Sequence, residues 1–585
     1  MKKILIPILG ALAVFTACNE DLLEIPQKGV ISTTNFYQTD EDAEAARVAV
    51  YQGFTWNIAG HNGVSNYNPN RFVWNLPADD MYAAGEYFGD NDYAAQVNEF
   101  RYNISSEVIK HAYQNYYYAV YYPNLVIHYF KDGLPNGQGH TAVTKRAVAE
   151  AKVIRAYIHM MLAIGWGTPP KVDALLDPAA MPKNSESQES LLNWCIEECK
   201  AALPDLDERQ NPTDKAGAVK ATKGFANALI GKCYLFLEDW TNAKKYLKDV
   251  IDSGSYALVP GERYWENFHI EGDANEEKIF EMNIDRSESL AWYSFMSKSS
   301  YQEANIWLWR GDHFISGADP VKVYTGGMNN GGWGGLGIPQ YFADKFIAND
   351  GLDSHRLKAT MVSIEDMVYT FDYQGPELNA LTPEERKASD KVGIDNRGLY
   401  GQSFYLDVKQ AVRKNDLYSY GGFPVRMNNF VVMRYAEVLL MYAEACIQSG
   451  DNAEAKKYIN MIQERAGSKT VSANVDMNVL KTEKQLEMWL EGVRWQDMVR
   501  WGDFDRAKNA GKDITILYDK MHRQPSADDK NVKYFYEGSR FYTVVVNPSL
   551  DRGYDIGFKE GKHELFPFPF DVASRNANLV QNPGW

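Results

Sequence analysis

Trp333 stands in a twelve-residue stretch, Gly326 to Gly337, that holds seven glycines and little else to bury an indole. Upstream, Trp307 and Trp309 flank Leu308 and would share one face of an extended chain. Arg310 follows them directly, and Trp292 precedes them. A second aromatic stretch runs through Trp56, Tyr67, Trp74, Asp79, Asp80, Tyr82, Tyr87 and Phe88 among glycines and asparagines. The chemistry open to such residues is contact. An indole laid on the axial C–H face of a pyranose removes apolar area from water. Covering about 100 Å² in this way contributes roughly 2–3 kcal/mol before ordering costs. Asp, Asn and Arg beside the ring can bond its hydroxyls. The residues expected to bind a glycan are therefore Trp333, Trp307, Trp309, Trp292 and Trp74, with Asp79, Tyr82 and Arg310 beside them. Tryptophans inside helical patterns (Trp194, Trp240, Trp489, Trp495, Trp501) read instead as core.

Catalytic spacings are missing. The chain has no G-x-S-x-G elbow, no H-E-x-x-H and no complete phosphate-cradling G-x-x-x-x-G-K-[ST] string. Asp79 and Asp80 are adjacent, and neighbouring carboxylates seldom straddle one glycosidic bond. Arg434 with Glu437, and Glu491 with Arg494, stand three residues apart, as ion pairs on a helix would. They read as buried pairs that hold helices together rather than as acid–base machinery, because no second catalytic group accompanies them. Cys195, Cys199, Cys233 and Cys446 are too few in so long a chain for a disulfide framework and lack nearby histidines for zinc. They read as small buried apolar residues. The sequence thus points to no enzyme, no cofactor and no metal.

The elements that must hold these residues are mostly helical. Of the 585 residues 45% are hydrophobic, enough for a sizeable core. A formal net charge of −16 argues against a nucleic-acid partner. Helical periodicity covers Ala43 to Gly53 behind an acidic Asp40-Glu41-Asp42 start, then Val108 to Phe130, Ala142 to Ile164, Glu186 to Leu203, Val219 to Glu238 and Trp240 to Ser253. From Pro260 to Asn428 the periodicity fails, with a short strand predicted at Ile279 to Ile284; helices return from Phe430 to Trp501. Tyr542 to Val546 reads as β-like. Ala243-Lys244-Lys245-Tyr246-Leu247 is nearly repeated at Ala455-Lys456-Lys457-Tyr458-Ile459, and Gly231 and Ala443 stand at matching places on the preceding helices. Small residues at both points let paired helices approach closely, as in tetratricopeptide repeats. The expected fold is mostly α: a tetratricopeptide-like α-superhelix with a large irregular, loop-rich insertion and short β-strands.

The amino terminus has the grammar of an export signal. Lys2 and Lys3 precede the apolar run Ile4 to Phe15, and Thr16-Ala17 lead into Cys18. That junction resembles a lipobox, which implies cleavage before Cys18 and lipid on its thiol. Several longer strings follow in order. They are Ala149-Glu150-Ala151 with Arg155-Ala156-Tyr157, then Gly165-Trp166-Gly167, the run Arg434 to Ala445, the run Glu491 to Gly502, and an ending of Phe566-Pro567-Phe568-Pro569 and Gln581 to Trp585. Together they resemble the SusD/RagB family of outer-membrane nutrient-binding lipoproteins of Bacteroidota. The resemblance implies a cell-surface protein, lipid-anchored in the outer membrane through Cys18. It further implies that oligosaccharide or polysaccharide is captured and delivered to a SusC-like TonB-dependent transporter, on which the protein sits as a lid. A peptide in place of the glycan, or a scaffold with no small ligand, are the alternatives. Residues 1–17 would be the signal peptide, 18–260 the N-terminal helical region and 261–585 the C-terminal region packed on it. One departure stands out: Tyr113, eleven residues before Asn124, occupies a place where the family often has Trp.

Overall fold

The computed structural model describes residues 36–59, 68–85, 87, 89–135, 137–284, 314–315, 334–366, 380–382, 384–385, 393–394, 399–411, 413–420, 423–511, 514–520, 525, 531–533, 539–546 and 555–585. Cys18, Trp292, Trp307, Trp309, Arg310 and Trp333 lie outside the described residues.

In chain order the elements used below are α1 (Asp40–Ile58), α2 (Pro69–Asn75), β1 (Tyr82–Ala83), α3 (Glu107–Phe130), α4 (Ala142–Trp166), α5 (Gln188–Ala202), α6 (Lys223–Phe236), α7 (Trp240–Asp252), β2 (Lys278–Met282), β3 (Leu336–Gly337), α8 (Gln340–Asp350), β4 (Phe430–Arg434), α9 (Tyr435–Gln448), α10 (Asn452–Ala466), α11 (Met477–Glu487) and α12 (Arg494–Trp501). Helix starts are written in the sequence. Thr39 accepts from the Asp42 amide while Asp42 accepts from the Thr39 amide, a reciprocal cap repeated by Thr141 with Thr144 and Ser187 with Ser190.

Helices α1, α3, α4, α5, α6 and α7 pack on one another in succession, and α7 then packs on α9, which pairs with α10. The hairpins α6–α7 and α9–α10 are one device built twice. Asp239 and Asp451 cap the second helix of each, accepting from the Asn242 and Glu454 amides. A Cβ on Gly231 would meet Leu247 of α7 at 2.5 Å, so that crossing tolerates nothing larger than glycine. Ala243, Ala443 and Ala455 are fully buried at the corresponding crossings. The superhelix is therefore continuous in space although the stretch from Ser253 to Arg434 interrupts it in sequence.

Strands of that interruption pair antiparallel, β3 with β1 of the amino-terminal region and β2 with β4. Phe430–Arg434 is a strand, not the first turn of a helix as its apolar run suggested. Its Phe-Val-Val start suits a ladder, and β2 offers the partner edge. The four described cysteines are buried free thiols. Among the described residues, no helix is long and apolar enough to cross a membrane.

One buried charge cluster joins the interruption to the C-terminal helices. Arg356 pairs with Asp350, Glu483 and Glu487; Arg434 pairs with Glu277, Glu487 and Glu491; Arg465 pairs with Glu277 and Glu487; Lys409 pairs with Glu491. Aromatic rings close it on one side, with the Arg465 guanidinium 4.7 Å from the Tyr264 centroid and the Lys409 ammonium 4.6 Å from that of Phe268. Opposing cations hold Glu277, Glu487 and Glu491 below the usual carboxylate range despite burial, whereas burial leaves Glu483 raised. The pairs expected three residues apart do not form as drawn. Arg434 precedes α9 as its N-cap, in extended conformation, and its side chain reaches across to α11; Glu437 takes Lys232 of α6 instead, and Arg494 takes Asp79. The inference of buried ion pairs holding helices together stands, with different partners.

Candidate functional site

Two cavities flank the segment from Asn68 to Ala84, and they separate the described candidate residues. The first has a volume of about 150 Å³. Its inner wall is aromatic, from Trp74, Tyr116 and Tyr157, and beside these rings lie the Lys232–Glu437 ion pair and the Glu491–Gly492 backbone. Its outer wall is amide-rich, from Asn428, Asn429 and Gln410, with Phe430 and the half-buried Val431 and Val432. The described chain leaves this wall at Ala59 and at Ile284, where residues 60–67 and 285–313 begin.

Trp74 does not offer an open ring face. It is only 5% exposed, its indole N–H donates to the Tyr116 hydroxyl at 2.7 Å, and it meets Trp166 and Phe566 edge-on. Two glycines make room for it. A Cβ on Gly165 would stand 3.0 Å from the indole, and one on Gly492, at φ +75°, 3.1 Å from its Cβ. These glycines belong to the Gly165-Trp166-Gly167 and Glu491–Gly502 strings, so what buries Trp74 comes from far along the chain. Local glycine and asparagine content around a tryptophan was a poor guide to its exposure.

The carboxy-terminal string closes on the same place. Phe566 N–H donates to the Gly165 carbonyl, Trp166 Nε1–H to the Pro567 carbonyl, and the Asn582 amide to the carbonyls of Trp166 and Phe566. Tyr113 is buried against Trp166 and Phe568, so this ring too is packed. Asn124 accepts from Arg155 and donates to the carbonyls of Val172 and Ala174.

The second cavity, about 460 Å³, is lined by Asp79 and Tyr82 together with Asn98, Arg506 and Asn509. Here too the expected contact residues are engaged. Asp79 accepts from Arg494 Nε and Nη2, at 2.9 and 3.0 Å, which hold its carboxyl low against the cost of burial. Burial and the neighbouring Asp79 charge push Asp80 up to about 7. Tyr82 is 7% exposed and lies in β1, paired with Gly337 of β3. That pairing ties the candidate segment to the chain immediately after Trp333, which resumes at Gly334. Among the described residues, no three of His, Cys, Asp and Glu converge as a metal site would require.

The sequence reading missed Asn70, Gln410, Asn428 and Gln496 on the first cavity. A signal existed for one group: Asn68, Asn70 and Asn75 crowd around Trp74. Gln496 gave none, because it lies in a helical string that looks wholly structural.

The SusD family model matches residues 276–585. The chain belongs to the SusD family. A SusD-like protein of Bacteroides ovatus is 24% identical to it over 619 aligned residues, covering 100% of this chain and 97% of the relative. SusD-like protein P38 of Formosa agariphila is 22% identical, covering 84% and 90%. Among solved structures, a laminarin-binding SusD-like protein superposes with TM-score 0.68 at 20% identity, covering 94% of this chain and 100% of the other. Surface glycan-binding protein A from Bacteroides thetaiotaomicron, in complex with laminarihexaose, gives TM-score 0.66 at 19% identity, covering 93% and 100%. In this SusD protein the family strings Gly165-Trp166-Gly167, Glu491–Gly502 and Phe566 to Trp585 meet around one tryptophan, Trp74.

Proposed function

We propose that this protein is a cell-surface glycan-binding lipoprotein. Lipid on Cys18 holds it at the outer membrane, where it captures oligosaccharide and passes it to a SusC-like TonB-dependent transporter, acting as its lid. Binding, not bond cleavage, is its work. Trp333, Trp307, Trp309 and Trp292 supply the ring faces and Arg310 a hydroxyl partner, while Trp74, Asp79 and Tyr82 frame the region from which those segments spring. The observation that carries this reading is the match in fold, over nearly the whole chain, to a laminarin-binding member of the same family.

Titration of the full chain carrying Cys18→Ser, which cannot take lipid, against laminarihexaose, maltohexaose and xylohexaose tests it. Binding of at least one is expected. Trp333→Ala or Trp307→Ala should weaken that binding several-fold, about 1–2 kcal/mol, with no fall in melting temperature. Silence toward all three neutral glycans overturns the reading, and an equal loss of stability would mark the tryptophan as core. Mass spectrometry of the mature amino terminus checks the lipid, and co-purification with a TonB-dependent barrel checks the partner.

A further inference from the structure

We infer that the first cavity is a binding site in its own right, built for a single uncharged, six-membered polyhydroxylated ring. It rests on the described wall residues alone and needs neither the tryptophan-bearing segments nor a transporter.

Strand β4 carries the first argument. A regular strand turns alternate residues to opposite faces, so at most every second side chain lines one wall. Here Phe430, Val431, Val432 and Met433 all line the cavity. The pairing with β2 shows how. Val431 opposes Glu281 and Met433 opposes Phe280, which leaves Val432 as an extra residue, a bulge that re-aims its neighbours. Bulges concentrate beside binding sites because they turn side chains that a flat ladder could not.

Unsatisfied hydrogen bonding carries the second. The side-chain oxygens of Asn70 and Gln496, on residues 3% and 4% exposed that both line the cavity, have no protein partner. Their amide nitrogens are engaged, Asn70 with the Asn57 and Ile58 carbonyls and Gln496 with the Gly492 carbonyl. The free oxygens are thus fixed as acceptors just behind the wall, and a donating ligand reaches them as the wall yields to it. Buried acceptors are rarely left unmade in a folded protein.

Charge and size select the ligand. The cations Arg71 and Lys232 face the anions Glu437 and Glu491 on the same wall, and Glu437 and Glu491 already hold Lys232, Lys409 and Arg434. A balanced wall gives a net-charged guest no advantage. A cavity of about 150 Å³, the scale that holds one benzene, limits the guest to a single ring. The half-buried rings of Tyr157 and Phe430 suit the guest's C–H faces, and hydroxyls suit a rim of amides because each both donates and accepts.

The test uses the full chain with Cys18→Ser and four probes, D-glucose, D-galactose, D-mannose and myo-inositol, followed by saturation-transfer NMR and calorimetry. One-to-one binding of at least one probe is expected. Gln496→Leu, which removes an acceptor without shrinking the wall, should weaken it roughly tenfold. Val432→Trp, at the half-buried outer wall, should abolish it even if Gln496→Leu perturbs the core. Trp333→Ala should leave it unchanged, so a failure of the surface-glycan reading and a failure of this one are distinguishable. The inference is overturned if no probe binds, if binding is indifferent to both cavity variants, or if it disappears with Trp333→Ala.

Discussion

Two buried polar regions lie back to back across the Glu491–Gly492 turn, and they are organised in opposite ways. In the charge cluster, Arg356, Lys409, Arg434 and Arg465 all meet carboxylates, several through two nitrogens. Across the turn, the cavity wall leaves the oxygens of Asn70 and Gln496 unpartnered. Burial of polar groups is costly in both places. In one the protein gives every cation a carboxylate, leaving only the Arg465 Nε unbonded, which makes a rivet; in the other it withholds partners, which makes a site. The sign of a substitution's effect should therefore reverse across the turn.

The largest effect belongs to the rivet. Arg434→Ala would strand Glu277, Glu487 and Glu491 as buried charges beside fewer cations, and should destabilise by about 3–5 kcal/mol. Chemical denaturation measures it. A loss below about 1 kcal/mol would show that the cluster is hydrated and weak. At Asp407, where one buried carboxylate oxygen has no partner, the expected sign is the reverse. Burial pushes the Asp407 carboxyl up to about 7, only partly offset by the Gln410 and Lys409 amides. A folded-state pKa above the unfolded one means that the native state resists ionisation, so stability is highest below about pH 4 and falls as pH rises toward 7. Asp407→Asn should leave acid stability almost unchanged and stabilise the protein by about 2 kcal/mol at pH 8. Equal effects at both pH values would refute the assignment.

Gly492 marks the border itself. Its φ of +75° and the 3.1 Å approach of Trp74 both exclude a side chain. Gly492→Ala should cost about 1–2 kcal/mol and shift the tryptophan fluorescence, since it would press directly on the Trp74 side chain. Unchanged fluorescence would mean that the turn yields instead of the indole.

How much of this contrast was legible in the sequence follows from what each part depends on. The superhelix was legible because its signals are local: the acidic start at Asp40-Glu41-Asp42, the helical periodicity of the apolar residues, and the small residues Gly231, Ala243, Ala443 and Ala455 at fixed spacing. The rivet was half legible. Arg434, Glu491 and Arg494 announced buried ion pairs, but a strand ending at Arg434 swung its guanidinium away from Glu437 toward α11, and nothing in a helical spacing rule encodes that. The cavity was legible only at its α2 wall, where asparagines crowd around Trp74. Its wall joins α2, β4 and the turn at Gly492, residues hundreds of positions apart, and its decisive feature is the absence of partners. Trp74 shows the same limit from the other side, since the glycines that bury it stand at 165 and 492.

The smallest expected effect is the most discriminating. Gln496→Leu removes an unpartnered buried oxygen, a gain of about 1 kcal/mol, and also removes the bond from its amide to the Gly492 carbonyl, a loss of similar size. The two should cancel, leaving the melting temperature within about 2 °C of the parent. A glutamine that served packing would behave differently. Its replacement would cost what buried hydrogen-bonded amides ordinarily cost, with no compensating relief. Near-neutrality in stability, combined with a loss of ring binding, is the signature of a polar group kept for a guest. A clear drop in stability would place Gln496 with Arg434, on the riveted side of the turn.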